Sequence, residues 1–219
     1  MAQVNPYYPG VEFRNFPTLI NDLENYYDLL YDTVMPHIVM PRWVYENGKK
    51  IGFLDMFYYI NMLYDNNPQS VIDVGCGECT WKRWFPNIIG FDPNINEFSQ
   101  ADFVDYFDAD FSAGHPQQFD VGMAICSIHF IEWDFVPEQC KLAMNIVKDR
   151  FLFTFNFHQL RNKPKVSYTE QVEIFYNMIE STGYEILMFD EPTARNEDLD
   201  NLEHWFYVNG TVRFMLGHK

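Results

Sequence analysis

Two aspartates, each following or closing a short apolar run, frame the segment of this 219-residue chain with the most chemical content. Val71-Ile72-Asp73-Val74 runs into Gly75-Cys76-Gly77-Glu78-Cys79, and Ile88-Ile89-Gly90-Phe91 runs into Asp92, nineteen positions after Asp73. Gly75 and Gly77 carry no Cβ, so the first permits a tight turn and the second lets a ligand come close to the backbone. An acid about 20 positions on, at the end of the neighbouring parallel strand, can grip a ribose. The pattern predicts a nucleoside crevice.

Cys76 and Cys79 invite two other readings. A zinc site needs two further ligands at compatible spacing, and Cys126 and Cys140 are neither paired nor followed by a matching histidine. A redox dithiol sits at a helix start, as this pair does, but the glycines around it are already explained by a ligand turn. No metal is expected. His129 is the best acid/base candidate, because imidazole titrates at about 6.5 and serves as a base at neutral pH; the alternative is a histidine that lines the pocket without moving a proton. His158 reads as structural, Glu132 and Asp134 as solvated loop charges.

The elements that must position these residues follow from apolar runs. The first 14 residues read as an extended arm, and Thr18 to Val34 as an amphipathic helix ended by Pro36. A second helix is expected from Gly52 to Asp65, stopped by Asn66-Asn67-Pro68. Seven strands are expected at Ser70–Val74, Ile88–Phe91, Phe103–Phe107, Val121–Cys126, Phe151–Phe155, Glu185–Phe189 and Val212–Leu216. Helices are expected near Thr80–Phe85, Pro137–Val147 and Thr169–Thr182. Strand–helix alternation implies βαβ units and a mostly parallel sheet, and the lack of a helix before the final strand makes that strand antiparallel. Residues 1–66 then form the arm and a helical cap, and 67–219 the sheet domain. The aromatic front, with Trp43, Tyr45, Phe53, Phe57, Tyr58 and Tyr59, is either that cap or plain core.

Taken together, Asp73-Val74-Gly75-Cys76-Gly77 resembles the first motif of class I S-adenosylmethionine-dependent methyltransferases, including the acid two positions before the first glycine. The resemblance extends over about residues 70 to 156. It implies a Rossmann-like three-layer α/β sandwich with S-adenosylmethionine as cofactor. Gly75, Cys76 and Gly77 would line its methionine part, Asp73 would hold its amino group and Asp92 its ribose hydroxyls. Asp108-Ala109-Asp110-Phe111 falls where the family contacts the adenine; Asp108 and Asp110 both stay open, with preference for Asp110. Phe119-Asp120-Val121 running to Cys126-Ser127-Ile128-His129 resembles the family's fourth strand and histidine turn, which adds Cys126 and Ser127 to the cofactor side. Cys79 departs from the pattern, standing where the family often has a third glycine.

A net charge of −16 and a pI of about 4.6 repel phosphate backbones, which disfavours a nucleic-acid acceptor. Arg161, Lys163 and Lys165 are too few to reverse that field, and Arg42, Lys49 and Lys50 are at best a contact for an anionic acceptor. A small-molecule acceptor is therefore expected. The fourth strand lacks the Asn/Asp-Pro-Pro-aromatic signature of amino-methylating nucleic-acid enzymes. No apolar run approaches the ~20 residues of a membrane helix, no leader is evident, and few cysteines suit a reducing cytoplasm. Two competing functions are a catalytically silent module docking a partner through the acidic 190–203 segment, and a nicotinamide-dependent oxidoreductase. The latter wants a third glycine at position 80, where Thr80 stands.

Overall fold

The computed structural model describes residues 43–46, 49–77, 79–83, 85–93, 99–125, 127, 131–156, 160–190 and 211–219. They fall into two compact units, one holding the described residues up to Asn67 together with Thr80–Pro86, the other Pro68–Cys79 with Asn87–Lys219. The expected arm and the helix over Thr18–Val34 lie outside the described residues.

The smaller unit contains an antiparallel hairpin, β1 (Trp43–Glu46) and β2 (Lys49–Phe53), with Trp43 opposite Phe53 and Glu46 opposite Lys49. It feeds α1 (Leu54–Leu63), which begins later than the expected Gly52 because Gly52 and Phe53 are engaged in the ladder with Val44 and Trp43. Downstream of α1, Asn67 takes φ 51°, a left-handed conformation that asparagine tolerates, and Pro68 follows. Where a helix was expected over Thr80–Phe85, a 3-10 turn spans Thr80–Arg83, and Phe85 N–H donates to the Trp81 carbonyl at 3.0 Å. Ile60, Leu63, Trp81 and Phe85 are buried, and the Tyr64 and Phe85 rings lie 4.9 Å apart.

The larger unit is a six-stranded mixed sheet among the described residues: β3 (Val71–Val74), β4 (Ile88–Phe91), β5 (Val121–Ile125), β6 (Arg150–Asn156), β7 (Glu185–Asp190) and β8 (Thr211–Gly217). Their order is β4-β3-β5-β6-β8-β7. The first four are mutually parallel, and β8 inserts antiparallel between β6 and β7, as the missing crossover helix implied. All four residues of β3 are buried, the mark of a parallel strand covered on both faces.

Three helices belong to this unit: α2 (Ala109–Gly114), α3 (Val136–Ile146) and α4 (Tyr168–Glu180). Pro137 sits in the first turn of α3, where its missing N–H costs nothing. Ser167 and Glu170 close a capping box at the start of α4. Alternate residues of β6 and β8 build an aromatic stack: Phe155 and Phe214 lie 5.6 Å apart at 5°, Phe153 and Phe214 4.9 Å apart at 15°. Phe175 of α4 meets Phe214 edge-on at 5.8 Å. All four rings are fully buried.

The seventh expected strand, Phe103–Phe107, is not formed. Only Phe103 bridges to Phe91, with its carbonyl accepting from Asp92 N–H at 3.1 Å and its N–H donating to Gly90 at 3.0 Å. The ladder cannot extend, because β4 stops before Asp92-Pro93 and the Asp105 carboxylate turns the chain by accepting from Tyr106 N–H at 2.8 Å. Val104 and Tyr106, half and more exposed, leave the edge.

Candidate functional site

Register places the two aspartates together. Val74 pairs with Phe91, so Gly75 and Asp92 begin the two loops that leave neighbouring parallel strands at the same end. The Phe91 carbonyl accepts from both Gly75 N–H (2.7 Å) and Cys76 N–H (3.1 Å), which straps the turn to the end of β4. The Asp92 carboxylate then accepts from Gly77 N–H at 2.8 Å. At the opposite end of the sheet, Asp120 accepts from Gln69 N–H (2.7 Å), Ser70 N–H (3.1 Å) and Lys148 Nζ (2.8 Å). Lys148 holds its carboxyl below the usual range. The aspartate of Phe119-Asp120-Val121 thus serves as a clip between the starts of β3 and β5.

Three of the turn's described residues take a left-handed backbone. Gly75 has φ 74°, Gly77 φ 55° and Cys79 φ 56°. Cys79 therefore adopts the conformation that would favour the family's third glycine, with a buried side chain instead of none. The need for glycine differs between the other two positions. A Cβ on Gly75 would stand 2.2 Å from the Ser127 Cβ, whereas one on Gly77 would meet nothing within 4 Å. Gly75 lets β5's following loop close in, and Ser127 Oγ donates to the Val74 carbonyl at 2.6 Å. Gly77 faces open space, room that a ligand can take.

Asp73 is the electrostatic anomaly. It is 2% exposed, and its Oδ2 has no hydrogen-bond partner among the described residues. Burial first, and then the charge of Asp92, push its carboxyl up to about 7. Cys76 is likewise held as a thiol, raised by its hydrogen bond with Cys79, by burial and by the charges of Asp73 and Asp92. An unsatisfied buried carboxyl costs stability unless a cation or donor meets it.

The structure brings Asp73, Gly75, Cys76, Gly77, Asp92 and Ser127 together. Asp108 is committed locally, its Oδ1 capping α2 through Phe111 N–H at 3.0 Å, while Asp110 is exposed in the first turn of that helix. Phe111 is buried in an aromatic cluster, 4.5 Å from Phe91 and stacked on His115 at 4.2 Å. Cys126, His129, His158, Arg42 and the segment 191–203 lie outside the described residues. Glu132 and Asp134 are exposed, as are Arg161 and Lys165, with Lys163 partly covered. Two residues that sequence reading passed over serve the turn and the strand beside it. Ser99 Oγ donates to the Gly77 carbonyl at 2.8 Å, and Asp102 accepts from Gly90 N–H at 2.7 Å. A lone serine 22 positions from its partner leaves no local signal.

No protein-family model and no curated protein sequence matches the chain. Solved structures do. A Listeria monocytogenes protein assigned as an S-adenosylmethionine-dependent methyltransferase superposes with a TM-score of 0.50 at 14% identity, over 75% of this chain and 96% of its own. S-adenosylmethionine-dependent methyltransferases from Mesorhizobium loti (TM-score 0.49, 13% identity, 74% and 97% covered) and Archaeoglobus fulgidus (0.49, 14%, 88% and 99%) are also similar. At these identities the likeness is one of fold alone: an α/β, Rossmann-like sheet. Among the described residues no helix is long and apolar enough to cross a membrane, and no cluster of three or more metal-ligating side chains occurs.

Proposed function

We propose that the chain is an S-adenosylmethionine-dependent methyltransferase acting on a small-molecule acceptor. The observation that carries this reading is the buried carboxyl of Asp73, whose Oδ2 has no partner among the described residues, beside a left-handed glycine turn, with Asp92 at the neighbouring strand end. The donor set fits the cofactor. Asp73 would pair with its ammonium, the open side of Gly77 would admit its amino-acid chain, and Asp92 would accept from the ribose hydroxyls. When bound, S-adenosylmethionine supplies a methyl group on a sulfonium, already activated for transfer.

The chain's own part is then mainly positional. Rigid strand ends at β3 and β4 fix the nucleoside, and alignment of the acceptor supplies much of the rate. We assign the adenine side to Asp110 rather than Asp108, because Asp108 is engaged as a helix cap. His129 is assigned as the base that takes the acceptor's proton. His129→Ala should lower turnover by about 10²-fold or more while leaving cofactor affinity within about twofold; unchanged turnover would return His129 to a lining role. The charge of −16 supports an acceptor other than nucleic acid.

A crystal structure with S-adenosylhomocysteine tests the reading. The ligand's amino group should lie within hydrogen-bond reach of Asp73 Oδ2 and its ribose within reach of Asp92. A ligand elsewhere, or preferential binding of a nicotinamide dinucleotide, would overturn it.

A further inference from the structure

Two thiols stand in the turn, and neither is required to hold a nucleoside. Cys79 N–H donates to the Cys76 carbonyl at 2.8 Å, closing a four-residue turn from Cys76 to Cys79. Such closure brings the end Cα atoms within about 7 Å, at the limit of what a disulfide spans. The side chains converge as well. Both sulfurs crowd one spot over β4, where a Cβ added to Gly90 would lie 2.6 Å from the Cys79 Sγ and 2.8 Å from the Cys76 Sγ. Cys76 Sγ donates to the Gly77 carbonyl at 3.7 Å, and both thiols are free. Gly90 is the floor that lets both sulfurs settle there.

We propose that Cys76 and Cys79 are a reversible dithiol–disulfide pair whose oxidation loosens Gly77 from Asp92 and so weakens the turn's hold on its ligand. The half-buried Cys76 thiolate attacks a small-molecule disulfide and releases one thiol. The buried Cys79 then displaces the second, forming the Cys76–Cys79 bond. Two protein thiols lose two protons and two electrons, and the small disulfide is reduced to two thiols. An S–S bond of about 2.05 Å is much shorter than any contact between two unbonded sulfurs. The turn must contract. Cys76 is strapped to Phe91 through its N–H, and Cys79 is buried. Gly77 can give: it is exposed, with open space on the side a Cβ would occupy, and its carbonyl accepts from side chains, Ser99 Oγ at 2.8 Å among them. Its N–H is the one that Asp92 holds. The adjacent Cys79 side chain, burial and the carboxylates of Asp73 and Asp92 keep Cys76 a thiol, so exchange is slow and the equilibrium state is what must be read. The effect on ligand rests on the nucleoside reading above; the effect on Gly77 does not.

The full chain is equilibrated in graded mixtures of reduced and oxidised glutathione, then alkylated and mapped by mass spectrometry. A disulfide confined to Cys76 and Cys79, reversed by dithiothreitol, is expected. In the oxidised chain the Gly77 amide should exchange its hydrogen several-fold faster, and S-adenosylhomocysteine should bind at least about fivefold more weakly. The proposal is overturned if both thiols stay alkylatable in every mixture, if only a glutathione adduct on Cys76 forms, or if Gly77 exchange is the same in both states. Equal ligand affinity in the two states would also overturn it. A reduced chain that binds no S-adenosylhomocysteine refutes the nucleoside reading instead, and leaves the alkylation and exchange results to decide the fate of the pair.

Discussion

Within one sheet, the end of β3 and the middle of β6 and β8 treat their side chains in opposite ways. Phe153, Phe155 and Phe214 stack in near-parallel layers with Phe175 closing the edge, apolar surface buried against apolar surface. Two strands away, β3 buries an aspartate with an unpartnered oxygen, followed by a turn in which Gly75, Gly77 and Cys79 all take positive φ. One region gains free energy on folding and the other gives some back. Strain and orphaned polar groups persist only where the surrounding structure holds them in place, and they gather at sites that bind. The aromatic half supplies the rigidity that the turn half spends.

Three substitutions break or sharpen this contrast. The largest loss should come from Phe153→Ala, about 3–5 kcal/mol of stability by denaturant unfolding, from transfer plus the cavity left in the stack. Nucleoside affinity of the folded fraction should be unaffected. A loss below about 1 kcal/mol would mean the stack is not the anchor described.

Asp73→Asn should act with the opposite sign. Folding raises the Asp73 carboxyl to about 7 from an unfolded value near 4. The folded state thus holds the proton more tightly, so its contribution is full below about pH 4 and is lost as pH rises through about 7. At ~1.4 kcal/mol per pKa unit, the fully buried group is worth up to about 4 kcal/mol. The asparagine variant should therefore be more stable than the parent at pH 8, equal to it near pH 4, and unable to hold the ligand. In the parent, an ammonium arriving at Asp73 should expel its proton. Calorimetry at pH 6.5 in buffers of different ionisation enthalpy should show release of up to one proton, fading by pH 8. A stability difference that does not change with pH would show that Asp73 is not the strained group.

The smallest of the three effects is that of Gly75→Ala, about 2 kcal/mol. It combines a left-handed alanine with the contact to Ser127. Adding Ser127→Gly should recover roughly half, because the clashing Cβ and Oγ leave. Full additivity of the two changes would mean that the crowding is not what glycine relieves.

The acid–turn–acid constellation was legible because its parts are local: an apolar run, two glycines, and a spacing that one crossover imposes. The strands at Ile88–Phe91 and Phe151–Phe155 were equally plain, their apolar residues marking two buried faces. Other features depend on partners far away in sequence. Phe103–Phe107 has strand composition but lacks a neighbour long enough to pair with, since β4 ends at Phe91. The β1–β2 hairpin did carry a signal, Asn47-Gly48 between the paired Glu46 and Lys49, overshadowed by the helical pattern that begins beside it. Asp108 resembled a ligand residue and serves as a cap, a role spacing does not distinguish. The orphaned oxygen of Asp73 and the convergence of a half-buried and a fully buried thiol on Gly90 exist only in three dimensions.

Titration calorimetry with S-adenosylhomocysteine, run on the reduced parent chain and on Asp92→Ala, tests the central claim most directly. The account predicts saturable binding to the parent and a dissociation constant at least about tenfold higher for the variant, through lost charge-assisted bonds to the ribose worth about 1–3 kcal/mol. No heat at millimolar ligand, or the same constant for both chains, would contradict it.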